Sequence, residues 1–135
     1  RRGLMSFNAV ALIDDDPNLI KIGTTVLTKI GGKKVTSFIS GEDFLAYIKD
    51  HVNIYDVILI DVNMPEMLGT EVVDRIVEKH PEFNTPIIFL TGMNDKNELK
   101  ELFNHTGVIG VISKPFDPME LIHLVDDLLE AKSGV

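Results

Sequence analysis

A chain of 135 residues has room for one globular core rather than two, and 44% hydrophobic with 25% charged residues is the balance of a domain with an ordinary buried interior. The formal net charge of -8 argues against nucleic acid or an anionic membrane as partner, because both are bound through basic patches. The absence of cysteine excludes disulfides, zinc–thiolate centres and thiol catalysis.

Arg1-Arg2-Gly3-Leu4 stand before Met5, so residues 1–7 are set aside as a leader or the trace of a cut from a longer chain. Residues 8–131 read as one domain and 132–135 as a C-terminal tail. No apolar run approaches the roughly 20 residues that span a bilayer, and nothing resembles a signal peptide. The cytoplasm is the default compartment.

The first predicted element is the apolar run 9–13, followed by an amphipathic helix. Its stripe is Leu19, Ile22, Val26, Leu27 and Ile30, at the spacing of one helical face. Asp16 supplies the N-cap, and Pro17 suits the first helical position. A weaker strand at 35–39 precedes a helix carrying Phe44, Leu45 and Ile48, opened by Ser40-Gly41-Glu42-Asp43 in the manner of a capping box. Run 57–60 is the third strand. The third helix carries Val72, Val73, Ile76 and Val77 and stops near His80-Pro81. Run 87–90 follows, then a short helix with Leu99, Leu102 and Phe103. Run 108–112 is the fifth strand, and Asp117-Pro118 opens a last helix with Leu121, Leu124, Val125, Leu128 and Leu129.

The strand runs are continuously apolar and rich in β-branched residues, as parallel strands covered on both faces require. Five β–α units in succession predict an α/β fold, a doubly wound parallel sheet with helices on both faces. The flavodoxin-like strand order 2-1-3-4-5 places a ligand site at the switch between the first and third strands.

The residues that end each run carry the chemistry. Asp14-Asp15-Asp16 follow the first strand, Asp61 the third, Thr91 the fourth and Ser113-Lys114 the fifth. In a parallel sheet these ends share one edge. With strands about 4.8 Å apart, Asp61 faces the Asp14-Asp15 pair. Three carboxylates so close repel one another unless they take up protons or share a cation, and hard oxygen ligands suit Mg²⁺ or Mn²⁺. Thr91 can donate a hydroxyl hydrogen bond to an anion on Asp61. Lys114 starts two strands away, a gap of roughly 10 Å that its stem can span. A carboxylate, a cation, a hydroxyl and an ammonium form a set suited to phosphoryl transfer.

Each residue also has a plainer explanation. Asp16 is accounted for as a helix cap, Thr91 alone as a β-branched strand end, and Lys114 alone as a surface lysine. It is their common placement on one edge that favours function. His51, His80, His105 and His123 are scattered away from the strand ends and read as surface or partly buried residues.

Leu12-Ile13-Asp14-Asp15-Asp16, Ile60-Asp61-Val62-Asn63-Met64-Pro65, Leu90-Thr91-Gly92 and Ser113-Lys114-Pro115-Phe116 together resemble the receiver domain of two-component response regulators, over residues 8 to about 129. The resemblance implies that Asp61 accepts a phosphoryl group. It implies that Asp14, Asp15, Asp61 and the main-chain carbonyl of Asn63 hold Mg²⁺, and that Thr91 and Lys114 bind phosphoryl oxygens. The donor it implies is a phosphohistidine on a sensor histidine kinase or histidine phosphotransfer protein. The output face would be the fourth helix, fifth strand and fifth helix, often used for homodimerisation. Such a domain is a phosphorelay switch that catalyses its own modification rather than a turnover enzyme.

Two positions depart from the family pattern: Val111 stands where an aromatic residue is common, and Leu68 where an acid commonly precedes Gly69. Met93, two residues after Thr91, is apolar and placed to hinder water. Two other readings compete. One is a haloacid-dehalogenase-like phosphatase with Asp14 as nucleophile, which Pro17-Asn18 and the lack of room for a cap domain disfavour. The other is an unphosphorylated scaffold, against which the complete set of site residues argues.

Overall fold

The computed structural model describes residues 8–133; the proposed leader at 1–7 and the last two residues of the tail lie outside them. Five strands form one parallel sheet in the order β2-β1-β3-β4-β5, the flavodoxin-like order expected from the sequence. The strands are β1 (Ala9–Ile13), β2 (Lys34–Phe38), β3 (Val57–Asp61), β4 (Ile87–Thr91) and β5 (Val108–Ser113). Between and after them run α1 (Pro17–Thr25), α2 (Gly41–Ile48), α3 (Gly69–Lys79), α4 (Lys96–Leu102) and α5 (Leu121–Ser133). None of the described helices is long and apolar enough to cross a membrane.

The sheet separates two apolar layers, and alternate residues of each central strand enter opposite ones. Ile58 and Ile60 of β3 pack with Phe44, Val73 and Ile76 on the side of α2 and α3. Val57 and Leu59 pack with Leu27, Leu121 and Val125 on the side of α1 and α5. All five residues of β3 and of β4 are buried, which is why their sequence is continuously apolar. Edge strand β2 is mostly exposed and has the weakest pattern. It lies one residue earlier than expected, because Ile39 stands beyond the strand and is 61% exposed.

Local signals fix the helix starts. Asp16 accepts from the Asn18 N–H, Ser40 from Asp43, Asp95 from Asn97 and Glu98, and Asp117 from Met119. Each side chain satisfies main-chain donors that have no partner within the helix. A 3₁₀ turn, Pro118–Glu120, leads into α5.

The stripe predicted through Ile30 departs from the structure. After Thr25 the helix widens into a π turn, Val26–Ile30, in which Gly31 N–H donates to the Val26 carbonyl. Five-residue spacing rotates the following side chains out of the 3.6-residue register. Val26 and Leu27 are buried, but Ile30 is 56% exposed and Ile22, on the outer flank of α1, 45%.

At the amino edge of the sheet, opposite the chemistry-bearing ends, side chains tie the central strands together. Asp56 Oδ2 accepts from the main-chain N–H groups of Asn8 and Ala9 at 2.9 and 2.8 Å. Asn53, at a positive φ of 66°, donates to the Glu82 carbonyl and accepts from the Asn84 N–H, both at 2.9 Å. Asparagine tolerates this left-handed conformation better than most residues.

Candidate functional site

Strand register places the acids. Ile13 pairs with Ile60, so the next residues, Asp14 and Asp61, leave neighbouring strands at the same level. Asp61 itself pairs with Leu90, and Thr91 with Ser113. The carboxyl edge of the sheet therefore gathers Asp14, Asp15, Asp61, Thr91 and Lys114, as the sequence anticipates.

Asp14, Asp15 and Asp61 can each present one carboxylate oxygen such that all three lie within 4.8 Å of one another. Asp14 is fully buried and Asp61 is 5% exposed, while Asp15 faces solvent. Three hard anionic oxygens at that separation are a suitable donor set for a small divalent cation, with waters filling the remaining positions.

Lys114 reaches this group from the end of β5. Its Nζ is 2.7 Å from Asp14 Oδ2 and 3.3 Å from Asp61 Oδ1. Its main-chain N–H donates to the Thr91 carbonyl at 2.7 Å, which holds the start of the β5–α5 loop against the end of β4. The Lys114–Pro115 peptide bond is cis. Asp14 is held from its other side, because Asp16 N–H donates to Oδ1 at 2.9 Å. Asn63, in the loop after β3, donates its N–H to Asp61 Oδ1 at 3.3 Å.

Burial pushes the Asp61 carboxyl above the ordinary carboxylate value, and the negative charge of Asp14 adds to the rise. Lys114 and the Asn63 N–H oppose that rise without cancelling it. For Lys114, burial pulls the ammonium down, but the hydrogen bond to Asp14 and the fields of Asp14 and Asp61 outweigh it and hold the group above its usual value. The two rises differ in origin: Asp61 is raised chiefly by its burial, Lys114 by the carboxylates beside it in spite of its burial.

Thr91 is fully buried, and its hydroxyl oxygen accepts from Met93 N–H at 3.0 Å. With its oxygen so engaged, the hydroxyl retains its own hydrogen to donate. Met93 is partly buried against the layer that contains Leu102 and Phe89, and Val111 packs in the same layer. Asp16 caps α1 through Asn18, in line with the plainer explanation offered for it. None of the four histidines belongs to the acidic group. His105 instead lies 2.7 Å from Asp74 of α3 and edge-on to Phe89.

Gly69 has a role that its local sequence hardly marks. A Cβ on this residue would overlap the main-chain carbonyl of Asp61, and its N–H donates to the Val62 carbonyl at 2.8 Å. The one available signal was a glycine opening a helix after Leu68, which has no polar side chain to serve as a cap.

Similarity to known proteins agrees with this geometry. The response regulator receiver domain family matches residues 10–126. Response regulator SaeR of Staphylococcus aureus (strain USA300) is 26% identical over 118 residues, which are 87% of this chain and 49% of SaeR. The chain thus spans about half the length of the curated relatives it matches. Among solved structures, the BeF₃-activated DrrB receiver domain is 32% identical, with a TM-score of 0.73 over 93% of this chain and 99% of that one. Chemotaxis protein CheY4 of Vibrio cholerae is 27% identical, with a TM-score of 0.78 over 91% and 99%. On sequence, strand order and site geometry together, this chain belongs to the response regulator receiver domain family, the signalling module of two-component systems.

Proposed function

We propose that this domain, residues 8–131, accepts a phosphoryl group from a phosphohistidine onto Asp61 in a reaction that depends on a divalent cation. The observation that carries the reading is the convergence of one carboxylate oxygen each from Asp14, Asp15 and Asp61 within 4.8 Å, with Lys114 between Asp14 and Asp61. An Asp61 oxygen would form the new bond to phosphorus while the phosphorus–nitrogen bond of the donor breaks. The bonding electron pair leaves with the imidazole, which takes up a proton.

Asp14, Asp15, Asp61 and the Asn63 carbonyl would hold Mg²⁺, or Mn²⁺ in its place. When bound, such a cation neutralises the carboxylates and the phosphoryl oxygens. Thr91 would donate its hydroxyl to one phosphoryl oxygen and Lys114 its ammonium to another. Positioning and charge neutralisation, rather than covalent chemistry by the protein, carry most of the rate in this class of reaction. The domain promotes its own modification and acts as a switch, not as a turnover enzyme.

Asp14 as nucleophile, the phosphatase alternative, fits less well. Both of its oxygens are engaged, by the Asp16 N–H and by Lys114.

The partners we propose are a sensor histidine kinase or a histidine phosphotransfer protein, in the cytoplasm. A second copy of the chain is proposed to dock through α4, β5 and α5, and neither nucleic acid nor a membrane is proposed as a partner of this domain. Val111 has no ring to rotate, so we place the response in the Thr91 loop and its main chain. Phosphorylation would shift an existing equilibrium toward the active arrangement.

The test is treatment with Mg²⁺ and acetyl phosphate, or with beryllofluoride, followed by intact mass or NMR shifts. An adduct or shift that requires Mg²⁺ and disappears in Asp61→Asn is expected. A modification retained in Asp61→Asn and lost in Asp14→Asn would overturn the assignment. No response in a wild-type protein that binds Mg²⁺ would favour a scaffold.

A further inference from the structure

Helix α4 meets the apolar layer beside the sheet through Leu99 and Leu102, and the turn that follows it reaches a second helix. His105 Nδ1 lies 2.7 Å from Oδ1 of Asp74, near the middle of α3. An ionised carboxylate can only accept, so Nδ1 is the donor of this bond. The same imidazole stands edge-on to Phe89, with ring centroids 6.2 Å apart. Phe89 is a fully buried residue of β4, two positions before Thr91. From the end of α4, His105 therefore touches β4 on one side and α3 on the other.

Helix α3 is tied to the phosphoryl site at its start as well, because Gly69 abuts the main-chain carbonyl of Asp61. Its inner face is buried through Val72, Val73 and Ile76, whereas Asp74, Arg75 and Glu78 are exposed. We propose that His105 carries a displacement of α4 and β4 sideways into α3, so that the outer face of α3 joins the surface that changes when Asp61 is modified. This rests on the phosphoryl-acceptor reading above. A bond between partly exposed groups adds little to stability, yet it is directional and holds two elements at a fixed separation while it is formed. A helix held at two points moves its exposed side chains together, as rigid elements do when they pass on a shift.

The test is two-dimensional NMR in Mg²⁺, with and without beryllofluoride, on the wild type, His105→Phe, Asp74→Ala and Asp74→Asn. Thermal unfolding verifies that each is folded. His105→Phe keeps a ring beside Phe89 and deletes the donor. Asp74→Ala deletes the acceptor at an exposed helix position, where alanine is well tolerated, and Asp74→Asn keeps an acceptor oxygen. In the wild type, beryllofluoride should shift the amides of Arg75 and Glu78 along with those of α4. In His105→Phe and Asp74→Ala those α3 shifts should fall by about twofold or more, with the α4 response kept, while Asp74→Asn should stay close to the wild type. Shifts in α3 that persist in full in both deletion variants, or that are absent from a wild type whose α4 responds, would overturn this inference and leave the acceptor reading standing. A loss in Asp74→Asn equal to that in Asp74→Ala would also overturn it, since the acceptor oxygen is still present. No response anywhere in a wild type that binds Mg²⁺ would overturn the acceptor reading itself.

Discussion

Gly69 lies against the main-chain carbonyl of Asp61, so closely that a single added methyl group would overlap that oxygen. The first residue of α3 therefore seats the end of β3, and with it the carboxylate of Asp61. Gly69→Ala can be accommodated only by moving the helix or the strand end. We expect a loss of about 1–3 kcal/mol, the usual cost of overpacking, together with a marked fall in Mg²⁺-dependent phosphorylation. Chemical denaturation and acetyl phosphate labelling would check the two effects, and a variant with wild-type stability would show that the contact is easily relieved.

Ionising Asp61 costs the fold some stability, because burial and the charge of Asp14 hold its carboxyl above the ordinary value of 3.8. The cost is absent below that ordinary value, grows as pH rises through the raised one and is complete above it. In a metal-free buffer, Asp61→Asn should therefore be more stable than the wild type at pH 7, by on the order of 1 kcal/mol and a few degrees in Tm. The difference should shrink as pH falls through the raised value and vanish below the ordinary carboxylate range. Melting curves of both proteins at pH 7 and in acid would decide this. A wild type that stays more stable at neutral pH would contradict it.

The Thr91 hydroxyl has two roles that substitution can separate. Its oxygen accepts the Met93 N–H, while its hydrogen is proposed to reach the phosphoryl group. Thr91→Ser keeps both, whereas Thr91→Val preserves shape and leaves a main-chain donor without its acceptor. Thr91→Val should lose about 1–3 kcal/mol and fail to show the chemical-shift changes that beryllofluoride induces elsewhere in the wild type. Thr91→Ser should show those changes nearly in full.

Met93 is held beside Thr91 through that same hydrogen bond and is partly buried in the apolar layer. Its apolar side chain is expected to keep water from the phosphoryl group. Met93→Glu should shorten the lifetime of the phosphorylated protein several-fold, as read from the decay of label after the donor is removed. An unchanged decay rate would rule out this role.

The central strands were the easiest elements to read, since β3 and β4 are covered on both faces and their sequences are accordingly unbroken runs of apolar residues. Once those runs were ordered, Asp14, Asp61, Thr91 and Lys114 fell on one edge by topology alone. Features that depend on distances between separate segments were not legible. The π turn at Val26–Ile30 follows a stripe that an ordinary α-helix would also produce. Asp95 caps α4 in a helix too short to have a strong period. The unequal sharing of Lys114 and the contact of Gly69 with Asp61 arise from the approach of elements distant in sequence, for which no local pattern exists.

With Asp56 and Asn53 clasping its amino edge, the sheet should respond to a load as a cantilever does. The beam is pinned at the end away from the acids, and a phosphoryl group on Asp61 would load the other end. Deflection should then be greatest in the loops at the carboxyl tips and fade toward the pins. Transmission would run sideways from strand to strand across β4 and β5, and little of the load would travel down the length of β3.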